Sequence, residues 1–88
     1  MRTSKIAERT TTGDVTTDDA WLRGVILTGG SDAATAVIRQ GGSSGTVVLS
    51  IKAATATTQP VVVTDADCSN GIHVTLTGTA PTCTVVWG

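Results

Sequence analysis

Aromatic side chains are almost missing from this chain: among 88 residues there is no Phe and no Tyr, and only Trp21 and Trp87 supply large ring area. A core built this way must come from Val, Leu, Ile and Ala, which bury less surface per residue. At this length hydrophobic gain and conformational entropy nearly cancel, so so light a core points to completion by a neighbouring subunit. Charge is sparse as well. With 6 Lys and Arg against 7 Asp and Glu, the net charge of −1 provides neither a basic footprint for DNA or RNA nor an acidic tail. No apolar run approaches the ~20 residues of a membrane span, and no apolar stretch follows the first charges as a secretory signal would need. The expectation is a chain that starts in the cytosol and inserts in no membrane. Cys68 and Cys83 are too few for a disulfide framework and read as small buried apolar residues.

What the chain does contain divides near residue 19. Residues 1–19 are rich in Thr and charge and show neither helical nor strand periodicity, which predicts an extended N-terminal arm. Arg2, Lys5 and Arg9 outweigh Glu8 at its start, and Asp14, Asp18 and Asp19 follow as an acidic patch. Residues 20–88 are dominated by β-branched side chains with turn clusters at short intervals, the pattern of a strand-built domain.

Six strands are expected there. The first runs from Ala20 to Thr28 and closes on Gly29, Gly30, Ser31 and Asp32; the second covers Thr35 to Gln40. Gly41-Gly42-Ser43-Ser44-Gly45 then turns the chain into Thr46 to Ala53, where Val47, Leu49 and Ile51 alternate with Val48, Ser50 and Lys52. Pro60 opens a fourth strand, since a missing N–H is tolerated at a strand's first residue. Ser69-Asn70-Gly71 is a strong hairpin signal. It leads into Ile72, Val74 and Leu76 on one face, with His73, Thr75 and Thr77 on the other. A turn from Gly78 to Pro81 brings in a last strand with Cys83, Val85 and Trp87 on the apolar face; antiparallel pairing with its predecessor would set Leu76 opposite Cys83. Strands at this spacing predict an all-β fold, a small antiparallel β-sandwich or barrel of about six strands. A helix fits only Ser31 to Arg39, whose second half is β-branched and favours a strand.

Catalytic patterns are wanting. His73 is the single His and falls on the outer face of a strand, no GxSxG elbow surrounds a Ser, and neither Cys carries a protease signature. Asp18 and Asp19, or Asp65 and Asp67, offer oxygen ligands without the spacing of an EF-hand loop. Cys68, His73 and Cys83 lack the paired spacing of a structural zinc site. The glycine turn at 41–45 joins two strands and leads into no helix with a phosphate-binding Lys. The expectation is a protein that is not an enzyme, takes no cofactor, metal or small-molecule substrate, and uses Trp21 and Trp87, both at apolar-face positions, in its core or an interface. Thr makes up about a fifth of the chain, which suits exposed sheet faces that carry few charges.

Two stretches, WLRGVILTGGSDAATAVIRQGGSSGTVVLSIKAA at 21–54 and GIHVTLTGTAPTCTVVW at 71–87, resemble small virion proteins of tailed bacteriophages. The likeness spans residues 20 to 87 and follows the order of strand, Gly-Ser-Asp-Ala-Ala-Thr turn, Gly-Ser-Gly turn and closing hairpin. It implies an all-β virion component without enzymatic activity, in the class of capsid decoration (cement) proteins, head fibres and tail or neck parts. It assigns no catalytic or metal residue. Cys68 and Cys83 depart from the usual pattern, and contact between them would permit a stabilising bond outside the reducing cytosol. Within this class a basic arm on a compact domain favours decoration. A segment that orders on its partner can wrap a neighbouring shell subunit. The expected protein is a homotrimer on the capsid exterior, made in the host cytoplasm, with the major capsid protein and itself as partners. Arg2, Lys5, Ile6 and Arg9 would carry capsid binding, and Trp21 and Trp87 are candidate interface residues. A tail, neck or fibre component is the alternative, and a host-surface or glycan-binding module a further one.

Overall fold

The computed structural model describes residues 5–88, and the side chains of all of these except 64 and 65. Among the described residues eight strands follow one another: β1 (Lys5–Arg9), β2 (Gly13–Thr16), β3 (Ala20–Thr28), β4 (Ala34–Gln40), β5 (Thr46–Ala53), β6 (Thr58–Cys68), β7 (Ile72–Thr77) and β8 (Thr82–Trp87). They form two four-stranded antiparallel sheets, sheet A in the order β1-β8-β3-β6 and sheet B in the order β2-β7-β4-β5. This is a small β-sandwich. A radius of gyration of 12.0 Å matches the ~12 Å that size scaling gives a folded chain of this length. The 16 Å short axis fits two sheets stacked about 10 Å apart.

Alternation explains the core. Ala20, Leu22, Val25 and Leu27 of β3, Cys68 of β6, and Cys83 and Val85 of β8 point inward from sheet A. Ala34, Ala36 and Ile38 of β4, Ile51 and Ala53 of β5, and Ile72 and Val74 of β7 meet them from sheet B. Register shifts adjust the phase. Near Arg23 the pairing of β3 with β8 passes from Leu22↔Trp87 to Gly24↔Val86, so one extra residue in β3 keeps both Leu22 and Val25 inside. A second shift in the β4–β5 pair lets Val48 and Leu49 both lean on the core and leaves Val47 opposite Arg39, 46% exposed. The plain alternation expected for Val47, Leu49 and Ile51 therefore breaks at its first member.

The two strands beyond the expected six come from the segment read as an arm. Its described part supplies β1, paired with β8 from Lys5↔Trp87 to Arg9↔Cys83, and β2, paired with β7 from Gly13↔Val74 to Thr16↔Ile72. Periodicity missed them because β1 buries no residue fully and β2 carries a bulge at Val15, the one side chain of the pair that packs on the core. What holds them is the ladder. Beyond β2 the hydroxyl of Thr12 continues it, accepting the Leu76 N–H at 3.0 Å and donating to the Leu76 carbonyl at 3.3 Å.

Two expected hairpins are corrected by the topology. β7 and β8 lie in different sheets, so Cys83 faces Leu27 of β3 and Arg9 of β1, not Leu76, whose partner is Ala36. Likewise Asn70-Gly71 carries the chain from sheet A to sheet B. Gly71 is required there by crowding: it has φ +97°, and a Cβ would stand 2.5 Å from the Thr16 carbonyl oxygen. The β4–β5 hairpin through residues 41–45 forms as expected. Ser31 to Arg39 contains no helix.

Candidate interaction surface

The two sheets present different outer faces. On sheet A, Ile6, Val86, Gly24 and Val62 are successive cross-strand partners and make one row across all four strands. Glu8, Thr84, Ile26 and Pro60 form the neighbouring row. Val62 is 91% exposed, Ile6 70% and Ile26 40%. The two largest exposures have a local cause. Val62 sits on an edge strand and faces Gly24, which has no side chain to lie against it; Ile6 sits on the opposite edge. Among the described residues, three of the four large apolar side chains most open to solvent thus share one face, an arrangement that marks an interaction surface more than scattered exposure would.

The residues singled out from the sequence divide around this face. Arg2 lies outside the described residues. Lys5 is exposed at the end of β1, opposite Trp87, and Ile6 belongs to the apolar row. Arg9 turns back on its own loop, with Nε 3.4 Å from the Thr11 carbonyl and a terminal nitrogen 3.4 Å from that of Thr12. The two tryptophans part company. Trp87 packs against the core beside Leu22, whereas Trp21, between buried Ala20 and Leu22, falls on the outer face of sheet A opposite Asp67. The apolar-face position expected of both tryptophans holds for Trp87 only. Sequence reasoning passed over Gly24, Ile26, Val62 and Val86, because a strand facing solvent with apolar residues looks the same as a strand buried on both sides.

Sheet B is mostly polar outside, with Val47 as its exposed apolar exception. Asp14, His73 and Arg39 are cross-strand neighbours on β2, β7 and β4. His73 holds the outer-face position expected from alternation, yet it is buried, 6% exposed, with Nδ1 2.7 Å from Asp14 Oδ1. Since an ionised carboxylate only accepts, Nδ1 carries the proton in this bond. The addition of β2 beside β7 accounts for the burial. Arg39 donates to the Gly45 carbonyl at 3.2 Å, and Thr35 and Thr77 pair through their hydroxyls further along the same face.

Both cysteines are free and buried. Cys68 pairs with Ala20 and Cys83 with Leu27, seven positions apart on β3, or about 23 Å at strand rise, too far for a bond. Burial raises the Cys68 thiol above its ordinary value, helped by the Asp67 charge and opposed by a backbone bond at Leu22. Burial alone pushes Cys83 up to about 11. Such thiols are inert as nucleophiles near neutral pH. Among the described residues no three His, Cys, Asp or Glu side chains converge as metal ligands. No family model, curated protein or solved structure matches the chain.

Proposed function

We propose that this chain is a structural subunit that works by packing against other protein, and that its place is the outer surface of a bacteriophage head, as a capsid decoration (cement) protein. The observation that carries the first part is the uncovered apolar row Ile6–Val86–Gly24–Val62, with Ile26 and Pro60 beside it. The likeness of residues 20–87 to small virion proteins supports the second. The light core and an apolar face that a copy or a shell subunit would cover support self-association, and the trimer is what the resemblance to decoration proteins implies.

In this reading the N-terminal segment contributes differently from a free arm. Ile6 joins the binding face, Lys5 stands at its margin, and Arg9 is occupied in holding the β1–β2 loop. Deleting residues 1–19 would strip the edges of β7 and β8, so point substitutions test the idea better. Val62→Asp and Ile6→Asp should each abolish incorporation into particles while leaving the isolated domain folded, read by particle sedimentation and circular dichroism. Full occupancy by both variants would overturn the proposal. Copy number separates the head from a tail, neck or fibre position: hundreds of copies per particle in a reconstruction fit decoration, a dozen or fewer fit the alternative.

A further inference from the structure

The two barest side chains of sheet A stand at opposite ends of one row. Ile6 lies on β1 and Val62 on β6, the outer strands of the sheet, with Val86 and Gly24 between them. At 70% and 91% exposure they are the most open of the large apolar residues among those described. Each has a neighbouring strand on one side only. An outer strand also leaves a row of backbone N–H and C=O groups unpaired, a template for another strand. β1 buries no residue fully within its own chain, so Ile6 gains cover only from outside it.

We infer that sheet A continues from copy to copy, β1 of one protomer pairing antiparallel with β6 of the next so that Ile6 lies opposite Val62. The inference rests on the assembly reading above and names the partner of these two edges, a second copy of this chain. Strand direction fits. Neighbours in sheet A all run antiparallel, so β1 and β6 of one protomer point opposite ways, and a copy added in the same orientation presents β1 antiparallel to β6. Bonding phase fits as well. In an antiparallel ladder the N–H and C=O of one residue point to the same side, so bonded and non-bonded pairs alternate across a row. After four strands Ile6 and Val62 are left in the same phase, and placed opposite each other they continue the alternation.

The side chains suit this register. All of β1, from Lys5 to Arg9, lies against Val63 to Gln59, and from Val62 to Gln59 the pairing of β6 with β3 runs without a shift. No charge meets a like charge: Lys5 falls opposite Val63, Glu8 opposite Pro60 and Arg9 opposite Gln59. Pro60 withholds at most one donor from the new ladder. As cross-strand neighbours Ile6 and Val62 cover each other, and the apolar row runs unbroken from one copy into the next. The contact joins two different edges and is therefore heterologous, closing as a ring or running on as a filament. A ring of three is the form that agrees with the trimer expected above.

The test uses the full chain in two single variants, Ile6→Cys and Val62→Cys, with buried Cys68 and Cys83 left in place. Both replace bare side chains and should leave the fold intact, checked by circular dichroism. Mixed in equal amounts under mild oxidation, they should give a disulfide-linked dimer in roughly tenfold higher yield than either variant alone, because cross-strand neighbours stand within bonding reach. Within one chain the two positions are three strand spacings apart, about 14 Å, so the double variant can link only between copies and should yield linked trimers or longer chains. Like-with-like dimers as abundant as the mixed product would overturn the inference in favour of sheets stacked face to face. The absence of any linked product from folded variants would overturn it too. The assembly reading is judged separately by the parent chain: incorporation into particles without edge cross-links leaves that reading standing, and failure to incorporate removes it.

Discussion

The two sheets bury similar inner faces and differ in what they turn outward. Sheet A leaves Val62 and Ile6 almost bare, while sheet B draws His73 under cover and ties it to Asp14. Both are made by the same alternation. The difference arises from the residues across the ladder: Val62 looks over Gly24, whereas His73 has a carboxylate on one side and a guanidinium on the other. An apolar side chain next to an empty position stays exposed and ready for a partner, and a polar one between charges finds a partner inside the chain for one of its ring nitrogens.

That comparison can be broken first at the shared core. Leu27→Ala in sheet A and Ile38→Ala in sheet B, both fully buried, should each cost about 3 to 4 kcal/mol in urea denaturation; a near-neutral result for either would mean that its sheet contributes little to the common interior. The next effect belongs to sheet A, which holds both thiols. Cys83 has a folded value raised from 9.0 to about 11, so the stability tied to its protonated form is fully present below pH 9 and is lost as pH rises through 11. Two units correspond to about 3 kcal/mol, and denaturation curves from pH 8 to 11 should show a clearly shallower decline in Cys83→Ala.

Sheet B is probed by Asp14→Ala, which leaves the Nδ1–H of buried His73 without its acceptor and should cost about 1 to 2 kcal/mol. Asp14→Asn, whose amide oxygen still accepts, should recover part of that loss in the same thermal melts. The smallest effect on folding is the sharpest for the comparison. Val62→Thr should change stability by less than about 0.5 kcal/mol, since the residue is bare, while weakening association measured by light scattering across a dilution series. A monomeric parent under all conditions would remove the reason to treat the two faces differently.

The strands from β3 onward are legible in the sequence because β-branched residues, glycine turns and a period of two coincide there. The apolar face of β7 and the turn at 41–45 are of this kind. β1 and β2 are not, since strands that bury no residue fully leave no hydrophobic period; backbone pairing holds them, with Val15 and the Asp14–His73 bond adding to it in β2. The candidate surface is half legible: Ile6 stands out as a binding residue through its place in an arm, and Val62 is hidden within a run of valines.

By itself the sequence determined the all-β class, most strand positions and the make-up of the core, because alternation and turn chemistry act between near neighbours. Which edge each strand joins was decided only in three dimensions. Alternation tells a strand which side to bury and says nothing of its partner, so β7 and β8, adjacent in the chain, pack as members of opposite sheets. The same physics left Val62 beside a glycine and His73 beside a carboxylate, and set the two outer faces apart.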